Sequence, residues 1–183
     1  MDDAAGHGPE RAPVDRARER ARGWLTRYIH DRPELRGAPT EQLLALLGDR
    51  AAHWSERVVA LGLLTLAGPA PAGLAPLLGA IVRNDADPDY VRLDAAVALA
   101  LLGSRDEGAV AVLRQVMSPK TYFALSQSNM ELGAACIGLA LLGDHGSRPH
   151  ILMATRLAFN GIDRDAALAL QVLDQLHQPH RHG

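Results

Sequence analysis

The residue types best suited to gripping a ligand are two arginines that occupy matching places in a repeated pattern. Arg57 lies in Ser-Glu-Arg-Val-Val-Ala-Leu and Arg92 in Tyr-Val-Arg-Leu-Asp-Ala-Ala, each near the start of a predicted helix. A guanidinium can hold an anionic ligand bidentately, so both residues are candidates for partner binding. The alternative is a packing role, in which each arginine bonds carbonyl groups or an acidic residue of the adjacent repeat.

A polar insertion supplies the other candidates for a binding surface. Residues 118–129 carry Lys120, Tyr122 and Phe123 close together. Rigid aromatic rings beside a cation can anchor a peptide or a flat ligand. We therefore predict that this loop borders the binding surface, with Arg92 and Glu131 on the flanking helices. The alternative is that a ring folds back and covers a gap left by the irregular repeat.

No group of residues in the sequence has the types and spacing that acid–base, thiol or metal chemistry would require. Asp94 and Asp165 match across repeats, but about one repeat stands between them, so we expect each to be stabilised by its own helix N-terminus rather than to form a catalytic pair. Cys136, among apolar neighbours, is expected to be a small buried hydrophobe. The histidines of the segment 177–183 crowd a frayed tail. We predict no catalytic residue, no metal site and no cofactor, and the chain contains no phosphate-binding glycine loop.

Composition narrows the class of protein further. The chain has 183 residues, 48% of them hydrophobic, and a formal net charge of -2, which suits one folded domain and argues against general binding of nucleic acid. A single cysteine excludes an internal disulfide and fits a cytoplasmic protein. The polar start of the chain does not resemble a secretory signal, and no apolar run is long enough to span a membrane.

These residues must be positioned by helices, because no stretch alternates apolar and polar residues for the length of a strand. The apolar spacing predicts an N-terminal helix over 13–30, followed by repeated helix pairs over 40–68, 72–103, 106–143 and 147–177. Flexible tails are predicted at 1–12 and 178–183. Leu-Ala-Gly or Leu-Leu-Gly closes three of the pairs, with steps of 35 and 40 residues between the glycines. Repeats of this size indicate two-helix units that must stack to bury their apolar faces.

One repeat resembles a known family. The segment 87–103, which reads Asp-Pro-Asp-Tyr-Val-Arg-Leu-Asp-Ala-Ala-Val-Ala-Leu-Ala-Leu-Leu-Gly, is similar to the short HEAT-like repeat named after phycobilisome lyases. The likeness is partial at 55–68, degraded at 129–143, where Leu132 replaces the arginine, and lacks the closing glycine at 163–176. The resemblance implies an all-α solenoid of about four HEAT-like helix pairs with an extra N-terminal helix. It also implies that the Val-Arg helices line the concave side.

Because stacked helix pairs create a curved, extended surface, we expect a non-catalytic interaction module or adaptor that binds a protein or peptide on its concave face. A second hypothesis is a small lyase, cyclase or ligand-handling protein with a pocket in that face. A third is a HEAT-like DNA glycosylase, which the negative charge and the few aromatic residues disfavour.

Overall fold

The fold is all-α, as the sequence predicts. The computed structural model describes residues 11–66, 68–118, 130–157 and 161–177. Of these residues, 75% are helical and none lies in a strand. The α-helices within the described ranges are α1 (Pro13–Thr26), α2 (Thr40–Gly48), α3 (Trp54–Leu66), α4 (Leu74–Val82), α5 (Asp89–Leu101), α6 (Glu107–Val116), α7 (Met130–Leu141), α8 (Arg148–Ala154) and α9 (Ile162–His177). Short 3-10 turns cover Ile29–Asp31, Pro33–Gly37 and His145–Ser147.

The helices α5 and α7 end in the same glycine-dependent motif. Gly103 and Gly143 have φ angles of 72° and 71°, which a residue with a Cβ adopts only with strain. The amide that follows each glycine donates back into the last turn, from Ser104 to the carbonyl of Leu99 at 3.0 Å and from Asp144 to that of Leu139 at 2.9 Å. This is the Schellman arrangement. The two Leu-Leu-Gly sequences therefore mark equivalent structural positions.

The helices from α2 to α9 pack as consecutive antiparallel neighbours in two layers. The contacting pairs are α2 with α3, α4 with α5, α6 with α7 and α8 with α9. The second helices of these pairs also contact one another in order, α3 with α5, α5 with α7 and α7 with α9. We call α3, α5, α7 and α9 the inner row. Stacking of this kind gives α3, α5, α7 and α9 more than one helical neighbour each, so a chain of short helices can bury a continuous core.

Helix α5, in the middle of the inner row, is buried on almost every face. Its buried residues are Val91, Leu93, Asp94 and every residue of 95–100. A helix buried on all faces needs neighbours on all sides. The first helices of the pairs, α2, α4, α6 and α8, cover only one side of the inner row. Another element must therefore cover the other side.

Helix α1 is that element. It contacts α3, α5, α7 and α9, and so forms a third layer across the inner row. Its buried stripe consists of Ala17, Ala21 and Leu25, spaced four residues apart. Small side chains allow close approach of the helices, and at Gly62 of α3 an added Cβ would overlap the carbonyl oxygen of Leu25. The surface that the inner row would otherwise present to a partner is therefore occupied by the chain's own first helix.

Candidate functional site

Two aspartates at matching repeat positions anchor α1 to the inner row. Asp94 of α5 accepts hydrogen bonds on Oδ1 from the indole N–H of Trp24 at 2.7 Å and from Nη2 of Arg27 at 2.8 Å. Asp165 of α9 pairs with Arg20, whose Nε lies 2.7 Å from Oδ1. The two aspartates thus act on the same helix without forming an acid–base pair. Their role is to hold α1, rather than only to complement a helix N-terminus as expected.

An open recess lies between α5, α6 and α7, and no residue of α1 is among those that line it. Its volume is about 170 Å³. The walls come from the N-terminal ends of α5 and α7 and the C-terminal end of α6, which meet because neighbouring helices run antiparallel. The lining residues are Asp89, Tyr90, Arg92, Leu93, Val112, Gln115, Val116 and Glu131.

Glu131 is the unusual side chain of this recess. It is only 5% exposed, and its Oε2 has no hydrogen-bond partner among the described residues. A buried carboxylate oxygen without a donor is unfavourable, because it has lost water and gained nothing in exchange. Its position in the first turn of α7 favours negative charge but supplies no donor to this oxygen. Glu131 is therefore the residue of the site most in need of a partner.

A second buried carboxylate lies within electrostatic range of Glu131. Burial raises the pKa of Asp94, and the neighbouring charge of Glu131 adds to that rise, while the charge and hydrogen bonds of Arg27 and the hydrogen bond from Trp24 oppose it. The Oδ2 atom of Asp94 also lacks a partner within the described chain. Asp94 and Glu131 thus each have a buried carboxylate oxygen without a donor among the described residues.

Arg92 lines the recess, but most of its guanidinium is already bonded elsewhere. Nη2 lies 2.7 Å from the exposed carboxylate of Asp85 and 3.3 Å from the carbonyl of Val82, and Nη1 lies 3.8 Å from Asp89. Its Nε is buried and has no partner in the described ranges. Arg92 therefore fixes the turn before α5, and one of its donors is left without an acceptor.

Arg57, the matching arginine of α3, is placed differently. Its Nε donates to the carbonyl of Leu47 at 3.0 Å and its Nη1 lies 2.6 Å from Asp87, with the side chain 2% exposed. These are the bonds of the packing alternative. Arg57 does not line the recess and has almost no surface that a partner could touch.

An aromatic ledge, formed by Tyr28, Trp54 and Tyr90, leads to the recess. The rings of Trp54 and Tyr90 stack with centroids 5.5 Å apart, and Tyr28 meets Trp54 edge-on at 5.9 Å. Tyr90 is 43% exposed and belongs to both the ledge and the recess lining. The sequence pattern alone does not predict this ledge. One signal is position, since Trp54 lies three residues before Arg57 and Tyr90 two residues before Arg92.

The other predicted site residues, Lys120, Tyr122 and Phe123, lie outside the described residues, as do 1–10, the rest of 119–129 and the tail 178–183. The chain nevertheless leaves and re-enters the described structure at the recess. Helix α6 ends at Val116 and α7 begins at Met130, directly before Glu131.

A larger recess at the opposite helix ends is less informative. It measures about 680 Å³ and is lined by Asp106, Glu107 and Asp144, among others. Two of these carboxylates are already paired, Asp106 with Arg83 at 2.6 Å and Asp144 with Arg114 at 2.6 Å. We therefore place the candidate site in the smaller recess, where a charged group is unsatisfied.

The described residues show no arrangement suited to covalent or metal catalysis. Burial raises the pKa of the Cys136 thiol to about 12, so it is a poor nucleophile. His53 Nδ1 lies 2.8 Å from Ser55 Oγ, but the same nitrogen faces the Ser55 amide at the start of α3, as a helix cap does. Within these ranges no three His, Cys, Asp or Glu side chains cluster as metal ligands would.

Comparison with models of protein families, with curated proteins and with solved structures finds no match to this chain. None of the helices within the described ranges combines the length and hydrophobicity that crossing a bilayer requires.

Proposed function

We propose that this protein is a non-catalytic interaction module, built as a HEAT-like solenoid of four helix pairs, that binds a protein or peptide at the recess and the aromatic ledge. The observation that carries the proposal is the buried Glu131 oxygen without a partner among the described residues, at the recess between α5, α6 and α7. The solenoid is supported by the ordered contacts of the inner row and by the matching arginines. Arg57 and Arg92 each bond the carbonyl ten residues earlier, of Leu47 and Val82.

The position of α1 moves the proposed binding surface. A solenoid usually offers its concave face, but here α1 lies across the inner row. The recess and the ledge lie at the N-terminal ends of α3, α5 and α7, where α1 leaves side chains accessible. A partner would thus approach the edge of the row, and α1 would remain in place.

The ledge has the properties of a binding anchor. Stacked aromatic rings expose apolar area and lose little conformational entropy on binding, because their packing already fixes them. Tyr90 stands between the ledge and the recess, so one partner segment could cover the ring and insert a side chain behind it. Interfaces commonly combine an aromatic anchor with a small pocket in this way.

The size of this recess does not suit the binding of a whole small-molecule substrate. Sites that enclose a whole drug-sized ligand measure about 300–1,000 Å³, whereas this recess measures about 170 Å³. It fits one side chain better than a complete substrate. A DNA glycosylase is disfavoured further, because the carboxylates of Asp89 and Glu131 would repel a phosphate backbone.

Photo-crosslinking from the ledge tests the proposal. A benzoylphenylalanine replacing Tyr90 should give a discrete adduct in extract of the native host, since the ring lies at the proposed contact. The same residue replacing the exposed Leu152 of α8 is the matched control. The added change Val116→Trp, which fills the recess, should abolish the adduct. An adduct that forms equally from Leu152, or that survives Val116→Trp, would contradict the proposal.

Substitutions in the insertion 118–129 provide a second test of the proposal. The prediction that Tyr122 and Phe123 contact the partner stands, because the chain enters and leaves the insertion beside the recess. The double change Tyr122→Ala, Phe123→Ala should weaken capture tenfold or more and leave the helical content nearly intact. A lowered melting temperature with unchanged capture would assign these rings to packing instead.

A further inference from the structure

We propose that the recess receives a primary ammonium group on an aliphatic stem, as in the lysine side chain of a partner peptide. This inference rests on the proposed function, since it names the chemistry of the group that the same site would bind. The charge, the shape and the unpaired hydrogen-bonding atoms of the recess each favour such a group.

The charge around the recess favours a cation. Three carboxylates stand there, those of Asp85, Asp89 and Glu131, against the single guanidinium of Arg92. Arg92 is held by Asp85 and Asp89, and no ion pair within 4.0 Å joins it to Glu131 among the described contacts. An incoming cation would pair with Glu131 in a place from which water is largely excluded, where charge pairs interact strongly. An anion would meet repulsion.

The walls favour a narrow aliphatic stem. Leu93, Val112 and Val116 supply apolar surface from α5 and α6. Tyr90 at the mouth adds an aromatic face, which attracts a cation and also covers methylene groups. A four-carbon stem with its ammonium would pass between these walls, whereas the volume of about 170 Å³ does not suit a fused ring system.

The free atoms favour lysine over arginine. Of the two carboxylate oxygens of Glu131, Oε2 is the one that is buried without a partner among the described residues. An ammonium is a compact point charge that needs one such acceptor, while a guanidinium gains most from a carboxylate with both oxygens free. The Nε of Arg92 lacks an acceptor as well. A peptide carbonyl could supply it, and a simple amine could not.

Binding of Nα-acetyl-lysine N-methylamide to the full chain tests this inference. Titration followed by the methyl NMR signals of Leu93, Val112 and Val116 should show saturable shifts. The norleucine analogue, which has the same stem without the ammonium, should bind at least tenfold more weakly, and so should the arginine analogue. Equal affinity of the norleucine analogue would overturn the proposal, because the charge of Glu131 would then play no part.

Glu131→Gln is the decisive variant, since it keeps the shape and removes the charge. It should weaken binding of the lysine derivative at least tenfold, while the control Glu107→Gln, an exposed carboxylate at the other recess, should leave it unchanged. If Glu131→Gln proves unstable, Val116→Trp should block binding by filling the recess. Unchanged affinity in either recess variant would overturn the inference.

The two proposals can fail separately. Crosslinks from position 90 that depend on an open recess, together with no binding of the lysine derivative, would overturn the inference and leave the interaction module standing. Equal affinity of n-butylamine and the lysine derivative would assign the recess to free amines and overturn a peptide as the source. Loss of the crosslinks would overturn the interaction module itself.

Discussion

Nη1 of Arg57 lies 2.6 Å from Oδ1 of Asp87, and both side chains are almost completely removed from water. Arg92 makes the equivalent bond to a carbonyl ten residues earlier, but its ion-pair partner Asp85 is 91% exposed. The same repeated arginine therefore forms a buried ion pair in one unit and a solvated one in the next.

This difference predicts unequal effects of two matched substitutions. Arg57→Ala should lower the free energy of unfolding by about 3–5 kcal/mol, because it leaves the buried carboxylate of Asp87 without its cation. Arg92→Ala should lower it by roughly 1 kcal/mol, since solvent already screens its partners. Urea denaturation of both variants measures the two losses. Equal losses would show that burial of the ion pair does not change its contribution to the free energy of unfolding.

The close approach of α1 to α3 predicts opposite effects of two glycine-to-alanine changes. Gly62→Ala should destabilise the fold by about 1–3 kcal/mol, because the new Cβ would overlap the backbone of Leu25. Gly23→Ala, on the exposed side of α1 with nothing within 4 Å, should stabilise it by roughly 0.5–1 kcal/mol. Thermal melts of the two variants should shift in opposite directions. A neutral Gly62→Ala would place α1 further from α3 than described.

The buried Asp94 predicts a dependence of stability on pH. Burial raises the pKa of Asp94 above its ordinary value of 3.8, despite the opposing charge and hydrogen bonds of Arg27. The folded state therefore holds this proton more tightly than the unfolded state, and stability falls as the pH rises from about 3.8 through the folded pKa. In urea denaturation, the stability of the wild type relative to Asp94→Asn should decrease over that window and then level off.

Asp144 provides the control of opposite sign. Burial alone would raise its pKa, but the hydrogen bonds from Arg114 and Ser147 and the charge of Arg114 together lower it. Its stabilisation is present above about pH 3.8 and is lost as the pH falls through the folded pKa. Relative to Asp144→Asn, the wild type should gain stability as the pH rises. The same sign for both aspartates would contradict the assigned environments.

The core of the inner row predicts large effects of truncation. Leu99 of α5 and Leu139 of α7 are buried, and changing either to alanine should lower the free energy of unfolding by about 2–5 kcal/mol. The exposed Leu152 of α8 serves as the control, with an expected change within roughly 0.5 kcal/mol. Losses below about 1 kcal/mol at both core positions would mean that the inner row packs through other faces.

The all-α class could be predicted because the spacing of apolar residues and the residues that end helices indicated the same elements. Apolar residues recurred at helical spacing, and Gly103 and Gly143 closed helices through positive φ angles that glycine favours. The position of α1 was harder to predict, because an amphipathic helix shows which face is buried but not what covers it. One signal was present: the segment 95–100 has no polar face, so the inner row had to be covered on both sides.

The candidate site could be predicted only in part. Arg92 and Glu131, which the sequence places on the helices that flank the insertion, line one recess, while their role in binding stays a prediction. The aromatic ledge could not be predicted from the sequence, because Tyr28 follows α1 and its contact with Trp54 depends on how α1 lies across α3. The burial of Arg57 also depends on packing, since the sequence pattern of Arg57 and Arg92 is shared while the exposure of their partners differs.

The contact of α1 with both ends of the inner row has a consequence for cooperativity. In a simple repeat array each unit touches only its neighbours, so units can fray from one end without the rest. Here Arg16 of α1 bonds Gln171 of α9, 155 positions further along the chain, and α1 also packs on α3. Loss of the last helix pair would remove the contacts of α9 with α1. Because α1 also packs on α3, the first helix pair would then lose part of its packing. We expect a single cooperative unfolding transition, and slower folding than local helix pairing alone would allow.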